Sequence, residues 1–197
     1  MPAAARRIAR EDLLPDAVFA AERKPRRAAL LPAKRLRRVA VGPICTFYFE
    51  SFETMLFQVQ EMVLTEKGGE AQVADELEAY NPLIPQGREL VATVMFEIDD
   101  PVRREAALRS LADVDRHFFL EIGAARVTAV PEGEIERTRD DGKTSAVHFV
   151  RFPLTDAETA AFKATGARVL IGCDHANYGH LAVVGEASRD ELAKDLA

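Results

Sequence analysis

The stretch IGCDHANYGH, residues 171 to 180, holds a cysteine, an aspartate and two of the chain's four histidines. If RVLIGCD is one strand and HLAVV the next, Ala176 to Gly179 form a four-residue connection, and His175 faces His180 across a hairpin. Two imidazoles so opposed can reach one ion. Cys173 shares a face with His175 in strand alternation, so a Cys/His/His set suited to zinc or iron is expected as one reading. No standard zinc spacing is present, and a further ligand must come from another strand, with His148, His117 and Glu121 as the candidates. The other reading makes His175, Asn177 and His180 polar turn residues and Cys173 a small buried hydrophobe. A Cys173 nucleophile with His175 as its base fits worse, because side chains two apart on a strand start about 7 Å from each other. Cys45, in GPICTFYFE, reads as core.

A second set of reactive groups lies between residues 50 and 66. At 100° per residue Glu50, Glu53, Phe57, Glu61 and Leu64 gather on a stripe opposite the apolar face of a helix. Carboxylates so spaced can ligate a metal or exchange protons, with Glu50 or Glu61 as acid or base. The alternative is a solvated face or a subunit contact through Phe57 and Leu64, which would make a homo-oligomer. No histidine falls on an expected helix, which disfavours a four-helix di-iron protein. Walker, G-x-G-x-x-G, C-x-x-C and H-E-x-x-H motifs are absent.

These groups need a scaffold, and a 197-residue chain with 48% hydrophobic residues can bury a sizeable core. No run of about 18 apolar residues and no signal-peptide core occurs, so a cytoplasmic address with no membrane contact is expected. Two distant cysteines fit thiols kept reduced. The net charge of −6 is uneven: residues 1–40 carry eleven Lys/Arg against four Asp/Glu, and residues 41–197 carry fifteen against twenty-eight. The basic head suits either nucleic acid or anionic lipid, or else the acidic surface of the chain itself or of a partner. The acidic surface is preferred, because the acidic body repels phosphate and no nucleic-acid motif accompanies the patch. Residues 1–38 are therefore expected as a basic N-terminal segment and 39–197 as a single domain.

Prolines at 15, 25 and 32 predict helices at about 11–23 and 25–36, broken between them. RRVAVGPICTFYFE predicts an extended segment bent at Gly42-Pro43. The spacing of Phe52, Met55, Leu56, Val59, Met62 and Val63 predicts a helix ending at Lys67-Gly68-Gly69, followed by a second helix to Tyr80 and an ordered loop over NPLIPQGRE. ELVATVMFEI predicts a strand, and a helix follows it with Asp99 or Asp100 as N-cap and Pro101 in its first turn. HFFLEIGAARVTAV predicts one bent strand or two, Asp141-Gly142 a hairpin-type turn and TSAVHFVRF a strand. A Thr155/Glu158 capping box opens a helix that Gly166 closes, before the strand RVLIGCD. The order over about residues 89–174 is β-α-β-β-α-β, which predicts an α+β protein with a ferredoxin-like core. An N-terminal strand and helical hairpin precede it, and a short C-terminal strand and helix, capped by Ser188 with Glu191, follow.

GPICTFYFESFETMLFQVQEM, DELEAYNPLIPQGRELVATVMFEIDDP, KTSAVHFVRF and GCDHANYGH together resemble the bacterial domain of unknown function 3501. The resemblance runs from about residue 33 onward, with AYNPLIPQG its most particular element. It implies a genomic context among rubrerythrin-type non-haem iron proteins and iron–sulfur oxidoreductases, hence peroxide defence or electron transfer. The resulting expectation is an accessory factor of an iron-dependent redox or oxidative-stress system, with a rubrerythrin-type or iron–sulfur protein as partner. The alternative is a metal-dependent enzyme using His175 and His180, with zinc or iron and a carboxylate acid/base.

Overall fold

A computed structural model describes residues 6–133, 138 and 142–197. Alternating burial along the strands sets the architecture. On β3 (Glu89–Phe96), Leu90, Ala92, Val94 and Phe96 face one core while Val91 faces another. A strand buried on both faces belongs at the centre of a covered sheet. β3 lies between β2 (Cys45–Phe49) and β7 (Val147–Pro153) in the antiparallel order β1-β2-β3-β7-β6, with β1 at Arg38–Val41 and β6 at Val130–Pro131. A second antiparallel sheet has the order β5-β4-β8-β9, from Ala125–Thr128, Phe118–Ile122, Val169–His175 and Tyr178–Val183.

The main core joins the two sheets. Phe47 meets Phe118 edge to face at 5.1 Å, and Phe96 meets Tyr178 at 5.9 Å, so aromatic rings from both sheets form one cluster. The opposite face of the first sheet is covered by α2 (Phe52–Glu66) and α3 (Gly69–Tyr80), whose Met55, Val59, Val63 and Val73 pack with Val91, Leu83 and Ile84. Ile8 and Leu13 complete this second core, so the basic head is part of the packed structure. Two side-chain amides grip it: Asn81 bonds both the N–H and the C=O of Ile8, and Gln60 bonds both those of Leu14. The α4 helix (Pro101–Ser110), α5 (Asp156–Lys163) and α6 (Glu186–Leu192) close the ends of the main core with Leu108, Phe162 and Leu192.

The α+β class holds, but the ferredoxin-like sheet does not form. Its four expected strands divide two and two, β3 and β7 in one sheet, β4 and β8 in the other. The hydrogen-bonding edges of β3 are already taken by β2 and β7, so the chain leaving α4 starts a new sheet. Several boundaries also differ. A single helix α1 (Asp16–Leu36) runs through Pro25 and Pro32. Each proline forfeits one hydrogen bond, and the surrounding Ala, Leu and Arg are strong helix formers that carry the helix past them. The extended segment at 37–50 folds back at Gly42 (φ 69°) into β1 and β2. The segment 117–130 is two strands turned at Gly123. Asp100 and the Thr155/Glu158 box cap as expected, whereas α6 starts at Glu186, which puts Ser188 inside the helix. Asp141 of the expected turn lies outside the described residues.

Arg37, 4% exposed, joins the ends of the chain. Its guanidinium forks onto Asp195 at 2.7 and 3.0 Å, reaches Glu191 at 3.0 Å and donates to the Glu50 carbonyl at 3.1 Å. Removing one side of so buried a pair leaves an uncompensated charge. Arg37→Leu is expected to lose about 3–5 kcal/mol, a drop in Tm on the order of 10 °C. Arg37→Leu/Asp195→Leu recovers most of that loss in thermal melts.

Candidate functional site

The IGCDHANYGH segment is a tighter hairpin than expected, with Ala176-Asn177 as a two-residue turn. His175 pairs with Tyr178 and His180 pairs with Cys173, so the two histidines are not opposed. Both ring nitrogens of His175 are taken: Nε2 donates to the Ala112 carbonyl at 3.1 Å and Nδ1 accepts from the Asn177 amide at 3.2 Å. Asn177 donates to the Ser110 carbonyl. The hairpin tip thereby caps the end of α4, whose last carbonyls lack helical partners. The His180 ring lies 4.4 Å from the Tyr178 ring, against Gly42, where a Cβ would come within 2.6 Å of it. The Tyr178 hydroxyl donates to the Val41 carbonyl and accepts from the Ile44 and Cys45 amides, locking the β1–β2 turn.

Of the remaining metal candidates, His117 lies edge to face against His175 with ring centroids 5.0 Å apart, and the others are dispersed. His148 is fully buried between Phe96 and Phe118 and donates from Nε2 to the Ser145 carbonyl at 2.8 Å. His117 bonds Asp174 at 2.9 Å on the exposed side of the second sheet, where Arg126 holds the same carboxylate. The His117 hydrogen bond and then the Arg126 charge keep the Asp174 carboxyl below the usual range. Glu121 pairs across the strands with Arg126. Among the described residues no three His, Cys, Asp or Glu side chains gather to hold a metal. Burial pushes the Cys173 thiol up to about 11 and the Cys45 thiol further, so neither is a thiolate near neutrality.

The carboxylates of 50–66 also separate. Glu61 pairs with Arg23 of α1 at 2.6 Å, and Phe57 packs on Phe19 of the same helix. Glu53 accepts from the Ser51 hydroxyl. That stripe is therefore partly an internal contact, which the basic head makes with the chain's own acidic surface. Glu50 is not on the helix. Ser51 is the N-cap of α2, and Glu50 continues β2, its amide bonded to the Val91 carbonyl.

That position puts Glu50 in a cleft of about 380 Å³ lined by Lys34, Arg37, Tyr48, Phe49, Thr54, Thr93, Met95 and Glu97. Two strand triplets make its floor. Thr46, Tyr48 and Glu50 alternate along β2 and beyond it, and Thr93, Met95 and Glu97 do so along β3, with Thr46 opposite Met95 and Tyr48 opposite Thr93. The two glutamates are held differently. Glu50 accepts from Thr54 at 2.7 Å and Thr93 at 2.8 Å, yet burial dominates and raises its pKa against those bonds. Glu97 accepts from Thr46 and Tyr48, both at 2.6 Å, and from Arg38; these donors lower its pKa. The two carboxyls are thus shifted in opposite directions at the two ends of the cleft, Glu50 opposite Val91 and Glu97 six residues further along the same strand register.

A family model described as "Protein of unknown function (DUF3501)" matches residues 7–196. The chain belongs to this family. It is also similar to a solved structure, a novel protein of unknown function from Burkholderia pseudomallei K96243, with 36% identity, a TM-score of 0.89 and coverage of 96% of this chain and 99% of that one. No curated protein matches. The segments that carry the DUF3501 resemblance build the geometry above: GPIC forms the turn that Tyr178 locks, and Asn81 and Gln86 of the NPLIPQG loop bind the backbone of Ile8 and Arg6. In this DUF3501 chain the cleft partners of Glu50, namely Thr93, Glu97, Tyr48 and Lys34, are not evident from spacing. Their signal is the run of polar residues at alternate positions of two strands, which means nothing until the strands are paired.

Tyr178→Phe leaves the Val41 carbonyl and two amides without the hydroxyl. It is expected to cost about 2 kcal/mol, read as a fall in Tm of roughly 4–8 °C. For Glu50, a raised native pKa means that the folded state holds the proton more tightly than the unfolded chain. Stability is therefore gained as pH falls through the native pKa, and the gain is complete below the ordinary glutamate value. Glu50→Gln removes this dependence. The variant should melt above wild type at neutral pH, with the difference closing as pH approaches about 4.

Proposed function

We propose that the Glu50 cleft binds a small polar molecule and that Glu50 exchanges a proton with it, while Glu97 remains ionised and fixes the local charge. The observation that carries this is a half-buried carboxyl with a raised pKa, held by two threonine hydroxyls and lining a cleft of about 380 Å³ whose far end carries Glu97. Glu50 is the proton carrier, Thr54 and Thr93 are its positioning residues, and Met95 supplies apolar lining. This reading keeps the carboxylate acid/base of the sequence expectation and drops its dependence on His175 and His180, whose nitrogens do not converge.

The wider setting we propose is the one that the resemblance implies. It is an accessory role in a bacterial cytoplasmic, iron-dependent redox or oxidative-stress system, in contact with a rubrerythrin-type or iron–sulfur protein. This setting rests on what the resemblance implies; the family model itself carries no function. No helix among the described residues is long and apolar enough to cross a membrane.

Two measurements test the cleft. Carboxyl-detected NMR titration should find Glu50 titrating above the ordinary glutamate range and Glu97 below it. A ligand-observed NMR screen of small polar fragments should find binders that weaken at least tenfold in Glu50→Gln, with Thr93→Val weakening them less. A normal titration of Glu50 together with fragment binding that Glu50→Gln leaves intact would sink the proposal.

A further inference from the structure

Of the 21 residues of α1, only Phe19 is buried. An ordered helix so exposed is unusual unless another surface completes it. Arg23 is paired with Glu61 across the α1–α2 contact, and Arg26 with Glu22 of its own helix. A further stripe follows helical spacing: Lys24, Arg27, Leu31 and Lys34, with Arg35 beside it, at i, i+3, i+7 and i+10. All five are exposed, Leu31 is 42% accessible, and among the described residues the four cations make no hydrogen bond or ion pair.

The complement lies two helices away. On α3, Ala71, Ala74, Asp75 and Glu78 are exposed at i, i+3, i+4 and i+7; Glu70 at the helix start is paired with Arg10, and Arg6 and Arg7 line a groove with Ala74 and Glu78, while Asp75 faces solvent. Asp75 and Glu78 make no ion pair among the described residues. The α2 helix packs between α1 and α3, so one molecule presents a basic helix and an acidic helix on either side of α2, whose Phe57 and Leu64 are only half-buried.

We infer that two copies of the chain associate about a two-fold axis over α2, the basic face of α1 in each copy lying on the acidic face of α3 in the other. A two-fold axis makes both contacts identical, so complementarity between two separated patches is satisfied twice. The small side chains Ala71 and Ala74 let the helices approach and receive Leu31, while Lys24 and Arg27 meet Asp75 and Glu78. The arrangement has an apolar centre and a charged rim, the anatomy of protein interfaces. Rim charges of this kind guide partner choice and make association salt-dependent.

Sedimentation velocity on the full chain at tens of micromolar tests this. A dimer is expected at low salt, with Kd rising at least tenfold on going to about half-molar salt. Lys24→Glu/Arg27→Glu should be monomeric, and so should Asp75→Lys/Glu78→Lys, each with unchanged circular dichroism because all four positions are exposed. Mixed in equal amounts, these two variants should form a heterodimer, since each then carries the surface the other needs. A wild type that stays monomeric, including one that binds duplex nucleic acid instead, overturns the inference. So does a dimer that both charge reversals leave intact.

Discussion

Arg37 is a buried cation at the junction of the long N-terminal helix and the first strand, and the rest of the structure is arranged to tolerate it. A guanidinium taken out of water costs several kcal/mol unless its donors are met. Here Asp195 meets it with a bidentate fork, Glu191 adds a second carboxylate and the Glu50 carbonyl a neutral acceptor. Burial raises the Asp195 pKa even with Arg37 against it, so desolvation outweighs pairing at this carboxyl. The network's value is therefore as much positional as energetic. It fixes where α6 meets α1, and it holds the backbone of Glu50 at the mouth of the cleft.

Much of the local structure can be read from the chain. The apolar spacing of α2, the Asp100 cap and the Thr155/Glu158 box are short-range features whose physics lies within a few residues. Pairing between strands is not of that kind. The alternation of β3 shows that it is covered on both faces, but the choice between β4 and β7 as its neighbour depends on which edges earlier strands have taken. That is why a plausible single sheet becomes two. A single change in turn length has a comparable effect on the hairpin near residue 175: a two-residue turn shifts the register, so His180 faces Cys173.

The same distinction governs the candidate sites. The cluster of cysteine, aspartate and histidines was conspicuous by residue type, and its side chains turned out to hold α4 and the β1–β2 turn in place. Glu50 is visible as a carboxylate, but spacing alone puts it on a helix face. Because α2 starts at Phe52, Glu50 sits at a strand end under partial cover, where burial raises its pKa. Thr93 and Glu97, more than forty residues away in sequence, acquire meaning only through the β2–β3 register.

The contact between Arg37 and Asp195 spans 158 residues. During synthesis the arginine leaves the ribosome long before its partner exists, and domains extrude at a finite pace. Until then the cation stays in water, because burying it alone is prohibitive. The last helix and the residues after it carry the carboxylates that accompany its burial, so both ends of the chain must be present before the packing around Arg37 is complete.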